Sequence, residues 1–169
     1  MAYNLLVPLD GSPFSEKVLD IAVPLAQKLG AAVYLLHVHP PAHDVVQAGA
    51  NLDPRAEAER AAVLGGVLPS PRAHEVETVT QAAERMAAEA LDYLRSPAAR
   101  FAGLRVECLV REGADPAAII VQCAEELGVD LVAMATHGRS SLLHLLLGSV
   151  AEAVMRAGKT PVLLVRPAM

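Results

Sequence analysis

Five short apolar runs, separated by segments of helical periodicity, constrain the fold of this chain more than any other feature. The runs cover residues 4–9, 32–37, 104–110, 129–135 and 161–165. They are continuous rather than alternating, which is typical of parallel strands covered on both faces by helices. This repeated strand–helix pattern predicts an open, doubly wound, parallel α/β sheet with right-handed crossovers. In such sheets, ligands bind at the carboxyl ends of the strands, where the strand order reverses.

The segments between the runs predict the helices. Asp115 followed by Pro116 is typical of an N-cap and the first helical residue. Gly158 predicts the end of a helix over 150–157, and a further helix is predicted over 76–94. The apolar face of the first helix is predicted to consist of Phe14, Val18, Ile21, Ala22, Leu25 and Leu29.

Composition limits the class of protein. The length of 169 residues fits one domain, 1–169. A composition of 53% hydrophobic and 20% charged residues indicates a globular chain. A net charge of -5 with 3% aromatic residues argues against nucleic acid as a partner. No apolar run is long enough to cross a membrane, and the N-terminus lacks a basic signal-peptide region, so we expect a cytoplasmic protein. Cys108 and Cys123 lie in apolar patterns and are expected in the core of a reduced protein.

The segment over 40–75 is a long insertion for a compact domain, rich in proline and glycine. Within it, Asp53 and Pro54 predict the start of a short helix that continues over 55–64. A flap, a lid and a dimer contact all remain open interpretations of this insertion.

A candidate phosphate site follows the fourth apolar run. That run leads into Ala135-Thr136-His137-Gly138-Arg139, and Gly148-Ser149-Val150 opens the next helical pattern. A strand that breaks at a glycine, followed by a Gly-Ser helix start, directs backbone N–H groups at one place, which suits a phosphate. The sequence therefore predicts a bound nucleotide.

Outside the insertion, the chain resembles the universal stress protein family. The resemblance rests on Leu6-Val7-Pro8-Leu9-Asp10-Gly11-Ser12, Leu36-His37-Val38, Gly113-Ala114-Asp115-Pro116, the two motifs above and Pro161-Val162-Leu163-Leu164-Val165-Arg166. It implies a five-stranded, Rossmann-like sheet of the adenine nucleotide alpha hydrolase type, with the first strand beside the fourth. It also implies ATP as ligand, with Mg or Mn balancing its charge, and a two-fold homodimer through the last strand.

The family's nucleotide-binding pattern is Gly-x2-Gly-x9-Gly-Ser/Thr. Gly138, Gly148 and Ser149 match it, whereas Ala135 stands at the first glycine. By position, the resemblance places ATP against Pro8, Leu9, Asp10, Val38, Met134, Ala135, His137, Gly138, Arg139, Gly148, Ser149 and Val150. In that set Val38 contacts the adenine, and Gly148, Ser149 and Val150 close over the phosphates.

Two polar groups in the pattern have structural interpretations beside the functional ones. Ser149 and Glu152 have the spacing of a capping box. Asp10 could cap the first helix, form a turn with Gly11, bind ribose or bind a metal.

Three histidines and one aspartate lie close together in the sequence and have side chains that can bind a metal: His37, His39, His43 and Asp44. Two prolines direct the chain away after His39 and no further cluster supplies a closing ligand, so we favour structural roles for them.

Three functions are compatible with this sequence. The first is an ATP-binding module that regulates an unidentified protein partner in the stress response. The second is a slow ATPase or phosphotransferase that uses Asp10 and a metal, and the third is a dimeric scaffold without nucleotide. Since no general base is evident near the phosphates, we expect no catalytic residue and at most weak ATP hydrolysis.

Overall fold

A single parallel sheet with helices on both faces forms the protein. The computed structural model describes residues 3–50, 78–136 and 147–166. In chain order the elements are β1 (Asn4–Pro8), a 3-10 turn (Ser15–Val18), α1 (Leu19–Leu29), β2 (Ala32–His39), α2 (Ala42–Ala50), α3 (Val79–Ala99), β3 (Val106–Glu112), α4 (Pro116–Glu126), β4 (Leu131–Ala135), α5 (Ser149–Ala157) and β5 (Val162–Val165). The strand order is β3-β2-β1-β4-β5, which confirms the predicted five-stranded, doubly wound sheet and the pairing of the first strand with the fourth.

The strand order reverses between β1 and β4, and the sheet opens there. β1 pairs with β2 along its whole length, from Asn4 to Pro8. It pairs with β4 only at Leu5 and Leu6, although both strands continue beyond these residues. The carboxyl ends of β1 and β4 are therefore not paired with each other and leave a crevice at the position where doubly wound sheets bind ligands.

Each face of the sheet has its own core. On one face α1 and α3 cover the strands, with Leu5, Val7, Leu35, Leu94 and Phe101 fully buried or nearly so. On the other face α4 and α5 cover Leu6, Leu36 and Val132, and contribute buried side chains of their own. This two-sided burial accounts for the continuous apolar character of the strands.

Both cysteines are free thiols, as the apolar pattern predicts. Cys123 is buried, Cys108 is half-buried, and burial raises the pKa of both thiols. A raised pKa keeps little thiolate at neutral pH, so both side chains pack as small apolar groups.

The predicted apolar face of the first helix is wrong at three positions. Phe14, Ile21 and Leu29 are 58%, 47% and 44% exposed. The helix begins with a 3-10 turn, whose three residues per turn shift the phase of the residues that follow. Val18 and Ala22 are buried as predicted, and the other buried positions are Leu19 and Ala26.

The start of α5 also differs from its prediction. Gly148 is the N-cap, and Ser149 is the first helical residue without a side-chain cap. The capping box with Glu152 is therefore wrong, and the Glu152 carboxylate accepts a hydrogen bond from Arg156 instead. The helix does end at Gly158, in extended rather than left-handed backbone.

The other helix boundaries follow from their caps. The Asp115 carboxylate accepts hydrogen bonds from the N–H groups of Ala117 and Ala118 at 3.0 and 3.1 Å, as predicted for α4. Thr78 and Gln81 form a capping box at the start of α3, which extends past residue 94 to Ala99.

The insertion over 40–75 is not irregular throughout, because α2 occupies 42–50. The helix predicted over 55–64 lies outside the described residues. In the part of the chain that the structure describes, no helix is both long and apolar enough to cross a membrane.

Candidate functional site

A cavity of about 260 Å³ lies in the crevice between the carboxyl ends of β1 and β4. The first turns of α4 and α5 flank it on one face of the sheet. The described residues that line it are Pro8, Leu9, Asp10, Ser15, Leu36, Val38, Pro116, Ile120, Met134, Ala135, Thr136, Gly148, Ser149, Val150 and Ala151.

The residues implied by the family resemblance converge on this cavity. Nine of the twelve are described, and all nine line it: Pro8, Leu9, Asp10, Val38, Met134, Ala135, Gly148, Ser149 and Val150. The other three, His137, Gly138 and Arg139, lie outside the described residues. Segments more than 100 residues apart in sequence thus meet at one place.

Six of the lining residues were not among the twelve assigned to the ligand from the sequence. Leu36 precedes Val38 by two positions on β2, so strand alternation places both on one face. Pro116 and Ile120 are four residues apart on α4, a spacing that directs both to the same side of a helix. Both signals were present in the sequence. The remaining three lining residues are Ser15, Thr136 and Ala151.

The cavity is lined by both apolar and polar side chains. Leu36 and Val38 of β2 and Pro116 and Ile120 of α4 form its apolar wall, and Leu36, Val38 and Ile120 belong to one packed cluster. A flat, weakly polar ring such as a nucleobase suits this wall, because it removes apolar surface from water. The polar lining residues are Asp10, Ser15, Thr136 and Ser149, with donors and acceptors for a sugar or phosphate.

The loop that carries Asp10 is organised by its own hydrogen bonds. The Asp10 carboxylate accepts from Ser12 N at 2.9 Å, and Asp10 N donates to Ser15 Oγ at 3.3 Å. Gly11, at φ 81°, supplies the left-handed backbone that the turn needs. Ser12 and Ser15 are both only 6% exposed, so the loop presents Asp10 in a fixed arrangement.

The first turn of α5 approaches the cavity from the β4 side. Gly148 N donates to Thr136 O at 2.7 Å, which ties the start of the helix to the end of β4. Gly148 has extended backbone, at φ -61° and ψ 143°, and the two residues that follow it, Ser149 and Val150, line the cavity. N–H groups of a first helical turn have no partner within the helix and favour an anion.

Two of the three imidazoles that resemble metal ligands bind backbone carbonyls. His37 Nδ1 lies 2.8 Å from Leu9 O, and His39 Nδ1 lies 2.9 Å from Pro40 O. His43 pairs with the adjacent Asp44 at the surface. Within 3–50, 78–136 and 147–166, no three His, Cys, Asp or Glu side chains are grouped to hold a metal ion.

Among the described lining residues, Asp10 is the one carboxylate. A divalent cation bound here would therefore take most of its ligands from the phosphates of a nucleotide and from water, as Mg²⁺ commonly does. Asp10 is the side chain that could complete its coordination.

Comparison with solved structures gives the same fold. The structure of the hypothetical protein MJ0577 superimposes with a TM-score of 0.70 at 24% identity, covering 100% of this chain and 99% of that one. The universal stress protein UspA from Lactobacillus plantarum gives a TM-score of 0.67 at 20% identity, with 97% of both chains covered.

Sequence comparison identifies the family. Universal stress protein YxiE of Bacillus subtilis is 30% identical over 166 residues, 98% of this chain and 100% of the relative. Universal stress protein MJ0577 of Methanocaldococcus jannaschii is 41% identical over 64 residues, 38% of this chain and 39% of the relative. The sequence model of the universal stress protein family matches residues 1–166. The chain therefore belongs to the universal stress protein family.

Proposed function

We propose that this protein binds ATP in the cavity between β1 and β4 and acts as a nucleotide-dependent regulatory module in the stress response. The observation that carries the proposal is the convergence of all nine described candidate residues on one cavity. Its apolar wall suits the adenine, and the N-terminal turn of α5 with Ser149 suits the phosphates. The module would act in the cytoplasm through a protein partner that responds to the bound nucleotide.

Two structural neighbours support an adenine nucleotide as the ligand. One is a universal stress protein in complex with cAMP, with a TM-score of 0.56 at 23% identity. Another, from Archaeoglobus fulgidus, is in complex with dAMP, with a TM-score of 0.51 at 19% identity. Both ligands share the adenine ring and a phosphate, the two groups for which this cavity has matching walls.

Binding of ATP is the first prediction. Titration of the protein with ATP in the presence of Mg²⁺ should give a measurable heat and raise the melting temperature, because a ligand that binds only the native state stabilises it. With no tryptophan and three tyrosines, the protein absorbs weakly at 280 nm. Retained adenine would therefore dominate the spectrum of the purified protein. No heat and no thermal shift at millimolar ATP would contradict the proposal.

Slow or absent hydrolysis is the second prediction. Asp10 is the one titratable side chain among the described residues of the cavity, and it already accepts a hydrogen bond from Ser12 N. We expect turnover of ATP far below the usual enzyme range of about 1–1000 per second. Phosphate release within that range, lost in Asp10→Asn, would favour the metal-dependent ATPase or phosphotransferase instead.

A two-fold homodimer through β5 completes the proposal. β5 is one end of the sheet, and its sequence from Val162 to Val165 contains no charged residue. β3, the other end, carries exposed charges at Glu107, Arg111 and Glu112. Charged side chains discourage pairing at a sheet edge, whereas an uncharged apolar edge favours it. Association of two copies should therefore use β5.

A further inference from the structure

Two aromatic side chains lie next to the Asp10 loop but are not among the described residues that line the cavity. They are His37 of β2 and Tyr93 of α3. Leu36 and Val38 line the cavity, so His37 between them points to the opposite face of the sheet, since side chains of a strand alternate. On that face α3 packs against β2, and the two rings meet.

His37 holds the peptide group that joins Leu9 to Asp10. The Nδ1–H group of His37 donates to Leu9 O at 2.8 Å. On the other side of the same peptide group, Asp10 N donates to Ser15 Oγ at 3.3 Å. Leu9 N in turn donates to Leu36 O at 2.8 Å. The backbone on which Asp10 enters the cavity is thus fixed at three successive polar groups, one of them by an imidazole.

Tyr93 fixes the ring of His37. The two rings form an edge-to-face contact, with centroids 5.6 Å apart and planes at 66°, an arrangement that aromatic pairs prefer. The Tyr93 hydroxyl is buried near the Glu16 carboxylate and the Gly11 backbone, but neither lies within 3.5 Å in hydrogen-bonding geometry. Burial, and then the carboxylates of Glu16 and Asp10, raise the pKa of Tyr93 far above its usual value. The ring therefore supplies the contact, and its hydroxyl stays neutral.

We propose that His37 and Tyr93 are positioning residues of the nucleotide site: from the face opposite the cavity, they hold the Leu9–Asp10 peptide so that the Asp10 side chain meets the ligand. This inference rests on the proposed nucleotide binding. The geometry also distinguishes the groups that hold this peptide in place from a group that does not. The Nδ1 donor of His37 and the ring of Tyr93 are required, whereas the Tyr93 hydroxyl is dispensable.

Two matched pairs of variants test this division. His37→Asn keeps an N–H donor close to the position of Nδ1, and His37→Leu removes it. Tyr93→Phe keeps the ring, and Tyr93→Leu removes it. We expect ATP affinity to fall about tenfold in each leucine variant, the scale of a buried carbonyl left without its donor. The asparagine and phenylalanine variants should stay within about threefold of the wild type.

A double-mutant cycle distinguishes positioning from general destabilisation. Asp10→Asn keeps the oxygen that accepts from Ser12 N and removes the charge. If His37 acts through Asp10, the effects of His37→Leu and Asp10→Asn on ATP affinity should be less than additive. Additive effects, or equal losses in His37→Asn and His37→Leu, would overturn the proposal.

Hydrogen exchange of the ligand-free protein provides a readout that needs no nucleotide. The amides of residues 10–16 should exchange faster in the two leucine variants and unchanged in the asparagine and phenylalanine variants. Equal exchange in all four variants would overturn the positioning role, whatever binds in the cavity. If the exchange pattern holds but the wild type binds no ATP, the function proposed above fails, and His37 and Tyr93 remain the residues that hold the loop.

Discussion

Replacing Gly148 with valine should abolish ATP binding and leave the protein folded. Gly148 lines the cavity and caps α5, directly before the N–H groups that would face the phosphates. Its backbone, at φ -61° and ψ 143°, is open to any residue, so the valine adds no backbone strain. The added side chain would occupy space that the ligand needs. We expect ATP affinity to fall by at least about a hundredfold, measured by calorimetry.

A control for this variant lies on the same helix. Ala153→Val places a valine at an exposed position of α5, away from the cavity. It should retain wild-type affinity, and circular dichroism should show both variants folded. Gly138→Val, at a position outside the described residues, should also lose binding if the family pattern holds here. Unchanged affinity in both glycine variants would place the nucleotide elsewhere.

Proline substitutions at two adjacent leucines of β5 should have opposite consequences. Val132 N donates to Pro161 O, and Thr136 N donates to Val165 O. Since alternate residues of a strand direct their backbone groups to the same side, the N–H of Leu163 faces β4, and that of Leu164 faces the open edge. Proline lacks this N–H group, so each substitution removes a donor from one side only.

Leu164→Pro should therefore give a folded monomer, because it removes a donor that only a second copy would use. Leu163→Pro leaves a carbonyl of β4 unpaired, at a cost of about 1–3 kcal/mol, and should destabilise the fold itself. Light scattering measures the mass of each variant in solution, and thermal unfolding measures its stability. A wild type that stays monomeric at high concentration, or a Leu164→Pro variant that stays dimeric, would contradict a dimer through β5.

Much of the fold could be predicted because its signals are local. Continuous apolar runs located all five strands, with ends that differ by up to two residues. The Asp115-Pro116 pair located the start of α4 because a carboxylate cap and a proline act within one turn. The same local reasoning failed at Ser149, whose sequence fits a capping box. There the chain enters the helix one residue earlier, because Gly148 is bound to Thr136 at the end of β4.

The candidate site was also predictable from the sequence only in part. Its glycine motif and Asp10 were recognisable in the sequence, since a phosphate site needs a particular order of residues along the chain. Pro116 and Ile120 were not assigned to it, because nothing local shows that the start of α4 packs beside β2 at the cavity.

The sequence by itself determined the class of fold, the strands and the motif residues, because each is marked by a local pattern of residues along the chain. Only the tertiary structure decided which of these residues meet. Pairing between β1 and β4 stops at Leu6, and that gap brings Asp10 and Ser149 to one cavity. The ring contact between His37 and Tyr93 likewise depends on how α3 packs against β2. Such contacts depend on how whole helices and strands pack against each other, which local sequence patterns do not reveal.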